Sequence, residues 1–361
     1  MIPFTRPFLP PEADYQRYIN DMFSRQWLTN HGPLVQSFEE HLKGFLEIDY
    51  CHFVANGTLA LQLAFKALAL EGEVITTPFS FVATLNALLW EGLTPIFVDI
   101  DPQMLTLDPA RIEAAITPET CAILATHIYG HPCDVMAIEA IARRHDLKVI
   151  YDGAHAFGSH HLGRSLLDYG DISITSFHAT KLFHTIEGGA LFTRSAELSE
   201  RITSLRAFGQ VGGAGINAKG SEAHAAMGLA LWPWLDHILA SRASIAGIYD
   251  RWIDHHGLPI SRPGMVSGAD INHAYYPILL RNEAQLERVL HHLTEQDIHP
   301  RRYFHPALNL VGMPEGTAAD MPVAEDIASR VLCLPNFVAM TGEDAEQVMR
   351  HLEDALQLET A

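Results

Sequence analysis

The stretch SFHATKLFHTIEGG, residues 176–189, sets a single lysine, Lys181, among polar residues ahead of a Glu-Gly-Gly exit. Asp152, 29 residues earlier, closes the apolar run LKVIYDGAHA (147–156), which reads as a buried strand with an acid at its tip and His155 just beyond. By default a lone lysine belongs on the surface and a strand-end aspartate is an ordinary cap. The pair also suits an aldehyde cofactor with a basic ring nitrogen, pyridoxal phosphate. A buried carboxylate keeps that nitrogen protonated, and a lysine amine holds the aldehyde as a Schiff base. What surrounds the two residues decides between these readings.

Moving outward, the flanking segments alternate between strand-like and helix-like runs. YCHFV leads through Asn56-Gly57-Thr58 into a helix carrying Leu59, Leu61, Leu63 and Leu68. Thr58 is either a simple N-cap or, with Gly57, part of a phosphate cradle, because unpaired amides and the helix dipole favour an anion there. VITTP, FVATLNALLWEG and TPIFVDID repeat the pattern, as do CAILATHIYG, VMAIEAIARRHD and DISITSF. Helices between short β-rich runs predict a largely parallel sheet with crossover helices, an α/β fold. Phe81 follows the first of these runs, on the side where ligands bind in open α/β sheets, and either stacks on a planar ring or packs in the core. Tyr129-Gly130-His131-Pro132 is a turn on that same side, Ser176 closes the strand before Lys181, and GALFT (189–193) reads as a strand leaving the site.

Residues 1–33 read as a Pro-rich lead-in, after which Val35, Phe38, Leu42 and Phe45 recur at helical spacing. Residues 34–235 form a large domain, ending in a Gly-rich arm (QVGGAGINAKGSE, 210–222) and a small-residue helix. Residues 236–361 form a smaller C-terminal α+β domain. The 361 residues are 48% hydrophobic, enough for a large core, and 24 Lys and Arg against 43 Asp and Glu give a formal charge of −19. That balance, with no run of cations, argues against nucleic-acid binding. No run of 18 apolar residues appears, and four scattered cysteines without a CxxC pair fit a cytoplasmic free-thiol protein. Pairs such as His291-His292 lack the i, i+4 spacing of a helical metal site, so no metal is expected.

In order and spacing, the segments WLTNHGPLVQSFE, ANGTLAL, TPFSFVATLNA, VDID, DGAHAFG, SFHATK, EGG, PRRYF and LCLPN resemble the DegT/StrS family of pyridoxal-phosphate sugar-nucleotide aminotransferases, over nearly the whole chain. The resemblance implies the aspartate aminotransferase-like fold type I. It implies that Lys181 anchors the cofactor and moves the proton, that Asp152 pairs with the ring nitrogen, and that His155 lies near the phenolic oxygen. Phe81 would stack on the ring, and Gly57, Thr58 and Ser176 would hold the phosphate. Asn217, on the arm, would reach into a partner's site, which implies a homodimer with shared active sites. Members that replace the lysine by histidine act as dehydratases, and Lys181 argues against that route. His31 and His305 depart from the usual asparagine and tyrosine.

The implied reaction is a two-stage transamination through pyridoxamine phosphate, with L-glutamate as donor and a keto sugar of a nucleoside diphosphate as acceptor. HAYYPILL and PRRYFHPALN resemble members that aminate carbon 4 of dTDP-4-keto-6-deoxyglucose for O-antigen or another glycan; amination of carbon 3 is the alternative. His178, Tyr275, Tyr276, Arg301, Arg302 and Tyr303 either contact this substrate or are structural. A non-catalytic ligand sensor on the same scaffold is a rival that the complete Asp152, His155 and Lys181 set disfavours. An oxidoreductase is weaker still, because no GxGxxG joins a strand to a helix.

Overall fold

The computed structural model describes residues 1–209, 213–311 and 320–357, so residues 210–212 of the Gly-rich arm lie outside the described residues. Two helices open the chain, α1 (Glu12–Arg25) and α2 (Pro33–Leu46). Alternation follows: β1 (Tyr50–Val54), α3 (Gly57–Ala67), β2 (Glu73–Thr76), α4 (Val82–Trp90), β3 (Thr94–Phe97), α5 (Pro109–Ala115), β4 (Thr120–Thr126), α6 (Val135–His145) and β5 (Lys148–Asp152). A short ribbon, β6 (His160–His161) and β7 (Arg164–Ser165), precedes β8 (Ile172–Ser176) and β9 (Gly189–Thr193). The remainder is α7 (Ala196–Leu205), α8 (Glu222–Leu231), α9 (Leu235–His256), β10 (Ala269–Asp270), β11 (Tyr276–Leu279), α10 (Glu283–Glu295), α11 (Pro322–Arg330), β12 (Val331–Leu334) and α12 (Gly342–Gln357).

Seven strands form one sheet in the order β1-β9-β8-β5-β4-β2-β3, in which only β9 pairs antiparallel with its neighbours. Alternate residues of the central strands enter different cores. Ile123, Ala125, Val149 and Tyr151 belong to the core that α2, α6 and α8 also enter, whereas Ala122, Leu124 and Ile150 belong to the one that α3 and α4 enter. Burial of both faces explains why these strands read as continuous apolar runs. Because β1, β2, β4, β5 and β8 run in one direction, their C-terminal tips all reach the same edge of the sheet.

A second core joins the far half of α9 (Ile245, Tyr249, Ile253) to the β11–β12 pair and to α10 and α12. Ile2 belongs to that core and pairs with Ile298, so the N-terminal residues run along the second core before α1 packs on α8. The helix α1 was not expected in the lead-in, although Tyr15, Tyr18, Ile19 and Met22 carry the period. Two buried carboxylates tie distant segments at helix starts, where they meet free amides and the positive end of the dipole. Glu222 accepts the Leu34 and Val35 amides at 2.9 and 2.8 Å, and a Cβ on Gly32 would lie 2.6 Å from its Cδ. Asp99, just past β3, accepts the Val323 and Ala324 amides of α11 at 2.9 and 2.8 Å. Among the described residues, no helix is long and apolar enough to cross a membrane.

Candidate active site

Five strand tips surround a cavity of about 540 Å³ at the C-terminal edge of the sheet, the edge where open α/β sheets bind ligands. Gly57, Thr58, Phe81, Asp152, His155, Ser176, His178, Lys181, Arg301 and Tyr303 all line it. Lys181 sits in the loop from β8 to β9, which the buried side chains of Phe177, Leu182 and Phe183 hold in the core. Gly189, at the loop's exit, runs so close to the Asn56 backbone that a Cβ there would lie 2.5 Å from the Asn56 carbonyl carbon. The Glu-Gly-Gly sequence therefore lets the lysine loop lie against the start of α3.

Burial pushes the Lys181 amine down to about 8, and the negative charge of Asp152 opposes part of that shift. Its Nζ lies 3.5 Å from the Tyr275 hydroxyl, at the outer limit of a hydrogen bond. Asp152 ends β5 with its side chain on the α3–α4 face. Burial raises its pKa, against the hydrogen bonds from Thr84 and the Ala154 amide and the charge of Lys181. A buried carboxylate of this kind fits a cationic ring nitrogen.

His155 is buried, and desolvation followed by the charge of Lys181 pushes its pKa well below the usual imidazole range. The Tyr129 amide donates to its Nδ1 at 3.2 Å, so in the neutral ring the proton sits on Nε2, where it can be donated to an oxygen in the cavity. Tyr129 takes a left-handed φ of 54° to present that amide, and its hydroxyl donates to the Tyr303 carbonyl. The His155 ring lies 4.3 Å from that of Tyr275 and stacks on Phe304 at 5.6 Å.

The opposite end of the cavity suits a phosphate. The Asn56 side chain caps α3 by accepting the Leu59 amide at 2.8 Å, so Thr58 is not the cap. The Gly57 and Thr58 amides stand in the first turn, where helix geometry supplies no backbone partner, beside the Thr58 and Ser176 hydroxyls. Phe81, the N-cap residue of α4, remains 47% exposed, a large apolar surface for a planar ring to cover.

The residues expected to meet the substrate divide. Arg301 rests its guanidinium over the Tyr303 ring at 5.2 Å, and both line the cavity. Arg302 turns away to Glu283 and the Ser329 carbonyl, and His305 accompanies it. Tyr275 faces His155 and Lys181, but Tyr276, its neighbour along the chain, points into the second core with its hydroxyl on Asp250 at 2.6 Å. Tyr276 is thus corrected to a core residue: successive side chains in an extended chain point to opposite sides. His178 lies at the mouth, its Nδ1 2.8 Å from Thr180 Oγ1 and its Nε2 3.5 Å from the Glu187 carboxylate. Asn217 is exposed and does not line its own chain's cavity; its Oδ1 accepts from Lys219 at 2.6 Å.

Ser80, Thr84, Thr126 and Phe304 line the cavity without having been singled out from sequence. For Ser80 and Thr84 the signal was their spacing about Phe81, one helical turn. Phe304 had none, because it comes from a segment distant in sequence that the Leu308 amide, donating to the Pro78 carbonyl, docks on the β2–α4 loop.

A buried amine and a buried carboxylate at strand tips, with a free helix start across the cavity, define a pyridoxal-phosphate enzyme of fold type I. The profile of the DegT/DnrJ/EryC1/StrS aminotransferase family matches residues 11–353. The chain is 42% identical to a dTDP-4-amino-4,6-dideoxy-D-glucose transaminase from Shigella dysenteriae, over 97% of its own length and 98% of the relative's. It superposes on the solved structure of DesI in the presence of its TDP-sugar product with a TM-score of 0.93 and 35% identity, covering 98% and 93% of the two chains. It also matches NtdA from Bacillus subtilis with bound cofactor PMP, with a TM-score of 0.87 and 29% identity over 96% and 82%. The chain belongs to the DegT/DnrJ/EryC1/StrS aminotransferase family and is a pyridoxal-phosphate-dependent transaminase.

Proposed function

We propose that the enzyme transfers the amino group of L-glutamate to carbon 4 of dTDP-4-keto-6-deoxyglucose, giving dTDP-4-amino-4,6-dideoxyglucose for O-antigen or another surface glycan. The observation that carries this reading is a cavity where Lys181, Asp152 and the α3 start converge below a mouth edged by Arg301, in a chain so similar along its length to a transaminase named for that product. Among the described residues, the Arg301 side chain has no carboxylate partner and is available to a phosphate or carboxylate group. Tyr303 and His178 border the same mouth.

Bound in this cavity, pyridoxal phosphate supplies an electron sink for the carbon that bears the amine. Asp152 would hold the proton on the ring nitrogen. His155 would hydrogen-bond through its Nε2–H to the phenolic oxygen, Phe81 would cover one ring face, and Gly57, Thr58 and Ser176 would hold the phosphate. Lys181 Nζ, neutral in a useful fraction near pH 8, takes the proton from the donor's α-carbon and in the second half-reaction delivers one to the sugar carbon. A second copy of the chain completes the site through Asn217, which with Ile216 of the same arm and Phe208 just before it is exposed on the single chain. The enzyme works in the cytoplasm, where its four cysteines stay as thiols.

The test is a single-turnover reaction of the pyridoxamine-loaded enzyme with 3-keto and 4-keto sugars carried on dTDP, UDP and GDP, the product being identified by NMR. Amine at carbon 4 of the dTDP sugar is expected. Reaction with 3-keto sugars alone would overturn the substrate assignment. Lys181→Ala should abolish both turnover and the visible band of lysine-bound cofactor.

A further inference from the structure

Asp152 is engaged at both oxygens by the protein itself. Oδ1 accepts the Ala154 amide at 3.0 Å, and Oδ2 accepts the Thr84 hydroxyl at 2.7 Å. Behind Thr84, Ser80 Oγ lies 3.0 Å from Thr84 Oγ1 and 3.1 Å from Thr126 Oγ1. All four side chains are buried, and all four residues line the cavity. A hydroxyl has one proton to give, and an ionised carboxylate only accepts. Thr84 therefore spends its proton on Asp152 and must accept from Ser80. Ser80, its proton spent, must accept from Thr126. The chain of bonds runs in one direction while Asp152 is ionised, and each bond polarises the next.

We propose that Thr84 is a positioning residue for Asp152, and that the Thr126-Ser80-Thr84 chain keeps the carboxylate ionised and fixes its plane so that its free lone pairs meet the ring nitrogen. This rests on the assignment of Asp152 to that nitrogen. One bond on each oxygen restrains rotation about Cβ–Cγ and leaves acceptor capacity on both. The start of α4 supplies the geometry: Phe81 is its N-cap and Thr84 lies three residues on, on the same face. One helix start thus delivers both the stacking ring and the hydroxyl. The first turn of α4 also places the positive end of a helix dipole beside the anion.

Thr84→Val keeps the shape and removes the hydroxyl; Thr84→Ser keeps the hydroxyl. Asp152→Asn is the control for the assignment beneath the proposal. The readouts are the dissociation constant for pyridoxamine phosphate, which binds without Lys181, the position of the visible band with pyridoxal phosphate, and the melting temperature of cofactor-free protein. Thr84→Val is expected to bind pyridoxamine phosphate about tenfold more weakly and to shift the band, while Thr84→Ser stays within about twofold of wild type. Ser80→Ala costs about two- to threefold and Thr126→Val less. Thr84→Val/Ser80→Ala is no worse than Thr84→Val, because Ser80 acts only through Thr84. Wild-type affinity and band in Thr84→Val, with Asp152→Asn impaired, would overturn the chain. Equal losses in Thr84→Val and Thr84→Ser, matched by lower melting temperatures, would also overturn it in favour of packing. An unimpaired Asp152→Asn would instead overturn the assignment of Asp152.

Discussion

Lys181 is an amine kept from water, and its titration tests the site directly. Burial moves it from 10.5 to about 8. At pH 7 an amine of pKa 8 is neutral in about one molecule in ten, and one of pKa 10.5 in roughly three in ten thousand, so the site enriches the nucleophilic form about 300-fold. Only the neutral amine attacks an aldehyde. When pyridoxal phosphate is added to cofactor-free protein, the capture rate, followed by visible absorbance, should rise about tenfold per pH unit from pH 6 and level off near pH 8. Asp152→Asn removes the anion that favours the protonated amine, so its plateau should begin at lower pH. Stability follows from the same shift. Between pH 8 and 10.5 the unfolded lysine is protonated and the folded one is not, so the stability of cofactor-free protein rises with pH across that window. Below pH 8 the full cost applies, on the order of 3 kcal/mol at most, given the half-buried side chain. Lys181→Met should therefore melt higher than wild type at pH 7 without cofactor. A capture rate still climbing at pH 10, or a Lys181→Met variant that melts no higher, would refute a buried amine.

Three further outcomes are expected. Thr58→Val and Ser176→Ala each take one hydroxyl from a charged phosphate, worth about 1.5–3 kcal/mol, and should weaken pyridoxamine phosphate binding roughly 10- to 150-fold in an equilibrium titration. Glu39 is buried; desolvation alone would raise its pKa, but hydrogen bonds and charge from His31 and Arg206 hold it down at about 2. Arg206→Met should cost about 3–5 kcal/mol in urea unfolding at pH 7. The stability that the wild-type carboxylate contributes is present above pH 4.5 and lost as pH falls towards 2, and the variant should lose it at higher pH. Arg301→Ala should raise the KM for the nucleotide sugar about tenfold or more, while Arg302→Ala, which breaks contacts to Glu283 and Ser329, should lower stability and leave that KM unchanged.

Asp152, His155, Ser176, Lys181 and Gly57 were legible because each stands within five residues of the end of an apolar run. A parallel sheet brings those ends to one edge, so local reading was enough. Tyr275 and Tyr276 show where local reading stops. The run they enter is apolar around both residues, and nothing in HAYYPILL marks which tyrosine faces Lys181 and His155. Ser80, Thr84 and Thr126 were passed over for a related reason: a lone hydroxyl near a helix start or strand end looks like a cap, and its partner is 46 residues away for Ser80 and 68 for Thr84.

The same physics separates the chemistry of this enzyme from its choice of sugar. Most of the groups proposed to hold the cofactor come from strand tips of one sheet and are positioned by backbone pairing. The wall proposed to face the substrate includes Arg301, Tyr303 and Phe304, which reach the cavity because α11 is capped by Asp99, Leu308 bonds to Pro78 and Tyr129 bonds to Tyr303. Each of those contacts joins segments far apart in sequence. Substitutions there can move the mouth by a fraction of an ångström while leaving Lys181 and Asp152 in place, so acceptor preference can change without loss of the amine chemistry. Loosening the tie through Asp99→Asn should accordingly alter discrimination among keto sugars more than it alters the half-reaction with the amino donor. Equal losses in both half-reactions would mean that the mouth and the cofactor site are mechanically one unit.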